Sequence, residues 1–146
     1  MSTKLIYFVR HGETTSNAEH IKQGASGSLT EQGRAQALAT AKRFPTHRGR
    51  PQVIYSSPFE RTKETAEIIG KYLSLKVRYS DLLKERKNPS GVVGHDAGDL
   101  EVRKILDHID KSYHPDDLRI SDEENFVDLK KRAKKLAAPL APPRTS

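Results

Sequence analysis

The stretch that decides the fold is residues 5–14, which read LIYFVRHGET. Its first half, residues 5–9, is a continuous apolar run, which is typical of a buried strand in a parallel sheet. Arg10, His11 and Gly12 then stand at the carboxyl end of that strand. In open α/β sheets this edge is where ligands bind. The sequence therefore predicts a buried first strand with an anion-binding or catalytic group directly after it.

Strands and helices alternate along the rest of the chain. Apolar runs at residues 52–55 and 75–79 predict two more buried strands. Apolar residues at helical spacing predict helices in four segments, which are residues 30–44, 57–73, 102–109 and 121–136. This alternation is typical of an α/β domain with parallel strands and right-handed crossovers.

Two of these helices begin with capping patterns. Ser57, Pro58 and Glu60 combine an N-cap serine, a proline at the first helical position and a capping-box glutamate. Ser121 and Glu124 repeat the serine–glutamate spacing, so we expect helices to start at both serines. Acidic residues near the second start suit the positive end of a helix dipole, and this explains them more simply than a cation site does.

The length and composition restrict the class of protein. A chain of 146 residues has the size of one domain. We expect residues 1–138 to form that domain and the proline-rich residues 139–146 to be a disordered tail. The absence of cysteine excludes a disulfide scaffold and a thiolate metal site. Because no apolar run approaches the roughly 20 residues of a membrane span and no signal-peptide pattern is present, we expect a cytoplasmic protein with no membrane partner.

The formal net charge of +7 is concentrated in one segment. Residues 1–128 hold 20 Lys or Arg and 19 Asp or Glu, whereas only cations follow Asp128. Most of these lie at residues 130–135, on a predicted helix that could hold phosphates or nucleic acid. A solvated helix face near a helix C-terminus explains them equally well. Since Phe126 is the one aromatic residue nearby, the solvated face is favoured and nucleic acid is not an expected partner.

Two more polar groups are expected at the edge where the first strand ends. Arg61 follows the second predicted strand, in the first turn of a helix whose amides and dipole favour anions. Glu85 follows the third strand and supplies a carboxyl group. Since a guanidinium suits phosphate and His11 can act as nucleophile, base or ligand, the pattern predicts an anion site. Surface ion pairs are the alternative, with Glu64 or Glu67 as the partner of the arginine.

Four ordered blocks resemble the histidine phosphatase superfamily, the phosphoglycerate-mutase-like enzymes. They are RHGET with a later asparagine at 10–17, LTEQG with QA at 29–37, YSSP with the following arginine and TA at 55–66, and LKE at 83–85. The agreement spans roughly residues 4–137. The resemblance implies a three-layer α/β/α sandwich and phosphomonoester hydrolysis or phosphoryl transfer. It favours a phosphatase over a glycolytic mutase, because the mutases carry long insertions for which this chain is too short.

The resemblance also assigns roles to individual residues. His11 would attack a phosphoryl group and become phosphohistidine, Arg10 and Arg61 would bind the phosphate, and Glu85 would act as acid and base. A carboxyl group beside a dianionic phosphate is held in its protonated form, which suits that acid role. Four further positions match the family's substrate pocket, namely Asn17, Gln23, Gly24 and Thr30. The implied partner is a small phosphorylated substrate, and no cofactor or metal is implied.

One part of the family pattern is missing. The family carries a second histidine in a Ser/Thr-His-Gly turn after a later strand, and in the sheet that strand neighbours the first one. Neither tripeptide occurs in this sequence, so we expect a fold that lacks its C-terminal strand or strands. His95 is a poor substitute, because only two apolar residues precede it among glycines. A non-catalytic anion-binding remnant that keeps Arg10, His11 and Arg61 therefore remains open.

Overall fold

The computed structural model describes residues 5–111 and 119–138. The predicted tail at residues 139–146 lies outside this range. Five α-helices, two strands and one 3₁₀ turn are described, and these are α1 (Thr15–Ala18), α2 (Glu31–Lys42), β1 (Ile54–Ser56), α3 (Glu60–Leu73), β2 (Val77–Tyr79), the 3₁₀ turn (Asp81–Leu83), α4 (Leu100–Lys111) and α5 (Phe126–Ala137). None of the described helices is long and apolar enough to cross a membrane.

The strands β1 and β2 pair in parallel on either side of α3 in sequence, as an α/β crossover requires. Ile54 lies opposite Val77, and Ser56 lies opposite Tyr79. The second and third predicted strands are thus confirmed, although each is only three residues long. The expectation that they are buried is wrong for Tyr55 and Tyr79, which are about half-exposed. Because the described sheet has only these two strands, the outer edge of each has no strand partner among the described residues.

The prediction of a first buried strand is wrong within the described residues. Residues 5–9 form no strand, and their side chains are 40% to 88% exposed. A strand needs a partner for its backbone groups, and no described segment pairs with this one. The segment is held through Tyr7 instead, whose hydroxyl donates to the Gly49 carbonyl at 2.9 Å and whose ring meets Phe44 edge-to-face at 5.1 Å.

The core lies between α2, α3 and β1. Ala41 of α2 packs with Ile69 and Leu73 of α3, and partly buried apolar residues close the cluster. Gly33 and Ala37 precede Ala41 at a spacing of four residues, and all three are buried. This stripe of small residues lets α2 approach its neighbours closely. It positions the loop after residue 9, which lies against α2.

Both capped helices begin later than the sequence predicts. Helix α3 starts at Glu60 with Phe59 at its N-cap, because the Ser57 hydroxyl accepts from the Phe59 amide at 3.2 Å and so forms a turn before the helix. The Glu60 carboxylate accepts from the Gly27 amide at 3.1 Å instead of forming a capping box. The predicted Pro58 start is therefore wrong by two residues.

Helix α5 starts five residues after the predicted cap. Ser121 adopts a left-handed backbone conformation with φ of 53°, which ends any helix there. Asn125 is the N-cap, and its side chain accepts from the Asp128 amide at 3.1 Å. Glu124 forms an ion pair with Arg132 and no capping box. The capping-box prediction at Ser121 is wrong, because Glu124 bonds to Arg132 of α5 and Glu123 bonds to Arg86.

Candidate active site

A cavity of about 410 Å³ lies at the loop that follows residue 9. Its lining residues come from that loop, from α1 and from α2, and they are Arg10, His11, Gly12, Glu13, Asn17 and Gln36. The structure therefore brings three of the sequence-predicted site residues, Arg10, His11 and Asn17, to one cavity. Arg10 is exposed and His11 is half-buried, so both side chains are accessible to a ligand.

The imidazole of His11 is oriented by its own backbone. Its Nδ1 lies 2.7 Å from the Gly12 carbonyl oxygen. A carbonyl oxygen only accepts, so Nδ1 carries the proton and donates it. In the neutral ring Nε2 then keeps its lone pair. This tautomer makes Nε2 the nucleophilic or proton-accepting atom of the site.

The His11 loop is fixed by very close packing against α2 and α3. A Cβ built on Gly12 would lie 2.8 Å from the Gly33 carbonyl carbon, so the two glycine backbones are in direct contact. The Gly12 amide donates to the Thr65 hydroxyl at 3.1 Å, and the Glu13 amide donates to the Gln36 side chain at 2.9 Å. These contacts place His11 relative to both helices.

Thr65 connects this loop to Arg61. Its hydroxyl donates to the Arg61 carbonyl at 2.8 Å, one turn earlier in α3. The Arg61 side chain is only 1% exposed, and its Nη1 donates to the Gly24 carbonyl at 2.8 Å. Its Nη2 forms an ion pair with Glu85, while its Nε has no hydrogen-bond partner among the described residues.

The ion-pair alternatives for Arg61 are wrong. Glu64 instead accepts from the Leu29 amide at 2.8 Å and pairs with Arg34 at 2.5 Å. Glu67 accepts from the Tyr79 hydroxyl at 2.9 Å. Burial together with this hydrogen bond raises the pKa of Tyr79 to about 12. Both glutamates are thus used elsewhere, and the sequence-predicted pair Arg61 and Glu85 is in direct contact.

Glu85 itself lines a different cavity from His11. Its side chain is 63% exposed and borders a cavity of about 500 Å³. This second cavity is lined mainly by the segment after Glu85, by Lys22 and Ala97, and by α4. The site residues therefore form two groups. Arg10, His11 and Asn17 lie in the first, Arg61 and Glu85 in the second, and Thr65 bridges them.

The other predicted pocket residues hold the surrounding loops. The Thr30 hydroxyl accepts from the Gly33 amide and donates to the Glu13 carboxylate, both at 2.9 Å. Thr14 is the N-cap of α1, and the side-chain oxygen of Asn17 completes the capping box by accepting from Thr14. Gln23 has a buried side-chain oxygen with no hydrogen-bond partner among the described residues, and Gly24 supplies the carbonyl for Arg61.

The acidic segment before α5 forms a network that sequence reasoning missed. Glu123 is buried and pairs with Arg86, while Glu124 holds Arg132 through two bonds of 2.6 and 2.5 Å. The Glu124 hydrogen bond raises the pKa of Arg132. Arg132 is 18% exposed, so it does not belong to the solvated face expected for the basic run. No local pattern signals the contact between Glu123 and Arg86, because these residues lie 37 positions apart.

The remaining histidines lie away from this site. His20, His47, His95 and His108 are exposed, as expected, and His114 lies outside the described residues. Asp116 and Asp117 also lie outside them. Within the part of the chain that the structure describes, no three His, Asp or Glu side chains form a group that could hold a metal ion.

Sequence comparison identifies a protein family and a named relative. The profile of the histidine phosphatase superfamily (branch 1) matches residues 6–142. Probable phosphoglycerate mutase GpmB from Salmonella paratyphi C (strain RKS4594) is 40% identical over 105 residues, which are 68% of this chain and 42% of the relative. The chain thus spans less than half the length of this curated relative.

Solved structures share the fold. Mycobacterial glucosyl-3-phosphoglycerate phosphatase gives a TM-score of 0.70 at 27% identity, over 89% of this chain and 60% of that one. Mycobacterial hydrolase 1 gives a TM-score of 0.67 at 28% identity, over 89% of this chain and 61% of that one. These matches confirm the expected phosphoglycerate-mutase-like α/β fold. Because the family profile also covers most of the sequence, this chain belongs to the histidine phosphatase superfamily.

Proposed function

We propose that this protein hydrolyses a phosphomonoester, or transfers its phosphoryl group, through a phosphohistidine at His11. Arg10 and Arg61 bind the phosphate, and Glu85 acts as acid and base. The phosphatase and mutase names of the relatives fit this class of substrate. The observation that carries the proposal is the His11 tautomer, since the hydrogen bond to Gly12 leaves Nε2 with a lone pair beside the exposed Arg10.

The reaction proceeds in two displacements. His11 Nε2 attacks phosphorus, and the bond from phosphorus to the leaving oxygen breaks while protonated Glu85 gives its proton to that oxygen. The imidazole gains positive charge, which the Gly12 carbonyl stabilises at Nδ1–H. Water then attacks the phosphohistidine, Glu85 takes a proton from it, and His11 and inorganic phosphate are restored. If a second hydroxyl replaces the water, the same steps transfer the group.

The arginines supply charge complementarity for the equatorial phosphate oxygens. Nη1 of Arg61 already donates to the Gly24 carbonyl and Nη2 to Glu85, while the buried Nε has no hydrogen-bond partner among the described residues. A buried N–H without a partner is costly, and an anion that accepts from it removes that cost. This supports Arg61 as part of the phosphate site.

The second cavity supports a polar leaving group. Glu85 lies at its border, so a leaving oxygen protonated by Glu85 would carry its substituent into this space. Lys22 and Arg103 contribute cations to the lining, and Asp107 and Asp110 contribute carboxylates. Such a mixed lining suits a hydroxylated or charged substituent better than a hydrocarbon.

The test is trapping of the covalent intermediate. The protein is incubated with 4-nitrophenyl phosphate, quenched in alkali because phosphohistidine is acid-labile, and analysed by peptide mass spectrometry. We expect phosphate on His11, with turnover and labelling both abolished in H11A. H95A is the matched control, because His95 is an exposed loop histidine, and it should behave as the parent. Turnover in H11A equal to that of the parent would refute the assignment.

One observation favours the alternative of anion binding without catalysis. Glu85 and His11 line separate cavities, and among the described residues none lines both. A protein that binds inorganic phosphate through Arg10 and Arg61 but neither forms phosphohistidine nor turns over an ester would establish this alternative. Calorimetric titration with phosphate, carried out alongside the trapping experiment, distinguishes the two.

A further inference from the structure

Glu85 lies in a segment that has little structure of its own. Residues 84–89 follow the 3₁₀ turn and belong to no helix or strand. The Glu85 side chain is exposed except where it meets Arg61. An exposed carboxylate on an irregular segment samples many positions, whereas an acid catalyst must stay within hydrogen-bond reach of one oxygen. Something outside the segment has to fix it.

Arg132 of α5 holds the backbone on the N-terminal side of Glu85. Its Nη1 donates to the carbonyl oxygens of Leu82 at 2.9 Å and Lys84 at 2.6 Å. Its Nε and Nη2 donate to the two Glu124 carboxylate oxygens at 2.6 and 2.5 Å. One guanidinium therefore ties the residue directly before Glu85 to the start of α5.

The C-terminal side of Glu85 is held by the same short acidic segment. Arg86 donates from Nε to the Glu124 carbonyl at 2.9 Å, and its Nη2 pairs with the buried Glu123. The Glu124 amide donates to the Lys87 carbonyl at 3.0 Å. The residues on both sides of Glu85, Lys84 and Arg86, are thus held by hydrogen bonds. Glu124 takes part on both sides, through Arg132 and through Arg86.

We propose that Arg132 is a positioning residue for Glu85, which it holds against Arg61 by binding the carbonyls of Leu82 and Lys84. This inference rests on the proposed function for the acid role of Glu85. It assigns Arg132 a different role from the other cations of the basic run. Lys131, Lys134 and Lys135 are exposed, whereas Arg132 is mostly buried and uses three nitrogens for four bonds. A lysine has one ammonium and cannot reproduce this planar arrangement.

The first test uses leaving groups of different acidity. Nitrophenolate leaves without a proton, whereas the alkoxide of glycerol 2-phosphate needs one from Glu85. We expect R132K and R132Q to lower kcat/KM for glycerol 2-phosphate at least about tenfold more than kcat/KM for 4-nitrophenyl phosphate, because kcat/KM reports the step in which the leaving group departs and excludes the later attack of water, which is common to both esters. E85Q should show the same selectivity. K135Q is the control on the same helix and should match the parent with both esters. Equal losses of kcat/KM on both esters in R132K would overturn the inference.

The second test needs no catalytic activity. Urea unfolding is measured for the parent, E85Q, R132K and the double variant. If Arg132 positions Glu85 against Arg61, the increase in the unfolding constant caused by E85Q should be at least about threefold smaller in the R132K background than in the parent. Equal increases in both backgrounds would overturn the inference.

The two tests separate this inference from the proposed function. If the parent hydrolyses neither ester, the proposed function fails, while the unfolding cycle still decides whether Arg132 positions Glu85. If R132Q does not fold, R132K carries both readouts, because it keeps the positive charge next to Glu124. Activity with both esters but additive unfolding effects would leave the proposed function standing and reject the inference.

Discussion

Replacing Gly33 with alanine tests the packing that places His11. Gly33 lies inside α2, where alanine is normally the better residue by about 1 kcal/mol. In this protein the added methyl would meet the backbone of the His11 loop, 2.8 Å from the Glu13 amide nitrogen and closer still to the Glu13 carbonyl oxygen. Helix propensity therefore predicts that G33A stabilises the protein, whereas packing predicts that the same substitution destabilises it.

The magnitude follows from the distances. Ordinary contact begins at 3.4 Å, so α2 and residues 12–13 must separate by at least 0.6 Å, and by more at the carbonyl oxygen. The obstructing atoms are backbone atoms and cannot rotate away. Overpacking of this kind costs about 1–3 kcal/mol and exceeds the gain in propensity for most of that range. We expect G33A to be about 1–2 kcal/mol less stable than the parent. A displacement approaching 1 Å at His11 would also lower turnover by about 10²-fold.

Urea unfolding followed by circular dichroism measures the stability, and 4-nitrophenyl phosphate measures turnover. Gly91 provides the matched control, because a Cβ built there meets nothing within 4 Å. G91A should be as stable as the parent or slightly more stable, since alanine restricts the unfolded chain.

A G33A protein that is more stable than the parent would refute the reasoning. It would mean that helix propensity dominates and that the backbones of Gly33 and Glu13 are not in close contact. Reduced stability with unchanged turnover would keep the packing argument but remove its link to His11.

Three further substitutions test the contacts around the site. T65V removes the acceptor of the buried Gly12 amide, so we expect a loss of about 1–3 kcal/mol in urea unfolding, with T65S nearly as stable as the parent. Hydrogen bonds from Lys87 and a backbone amide lower the pKa of Asp122, so its stabilisation is present above about pH 4 and is lost as pH falls. D122N should therefore reduce the acid sensitivity of unfolding between about pH 4 and 2, and an unchanged pH profile would contradict this. N125A should cost about 1 kcal/mol by removing the α5 cap, with N125D retaining it.

The fold could be predicted where local pattern and tertiary environment agree. Helix α2 begins at Glu31, close to the start of the helical pattern at residue 30, and β1 and β2 lie where apolar runs indicate. The failures occur where a local group bonds to a distant one. The Ser57 cap was displaced because Glu60 bonds to Gly27, 33 residues away. At the Ser121 cap, Glu123 pairs with Arg86, 37 residues away, and Glu124 pairs with Arg132 of α5.

The sequence predicts the residues of the candidate site but not the contacts that link them. Arg10 and His11 share a cavity because they are adjacent in sequence, and Arg61 contacts Glu85 because two neighbouring strands end there. Thr65, which links the two groups, has only a helix position as its signal. From the sequence alone, Arg132 is one of several cations at residues 130–135 with nothing to distinguish it. Its role depends on how α5 packs against the 3₁₀ turn, which no periodicity encodes.

The burial of Arg61 supports the proposal that this region binds an anion. A guanidinium that is 1% exposed loses most of its hydration, and replacing such a group by an apolar side chain is often neutral or stabilising. The described residues compensate it with one carbonyl, one largely exposed carboxylate and the Phe59 ring, whose centroid lies 5.1 Å from the guanidinium carbon. They leave Nε without a hydrogen-bond partner. Packing alone does not account for an arginine held at this cost. In the proposed function, a doubly charged phosphate accepts from the unbonded nitrogen and adds the missing negative charge. Because Arg61 lines neither cavity, this requires the groups that cover it to move when the phosphate binds.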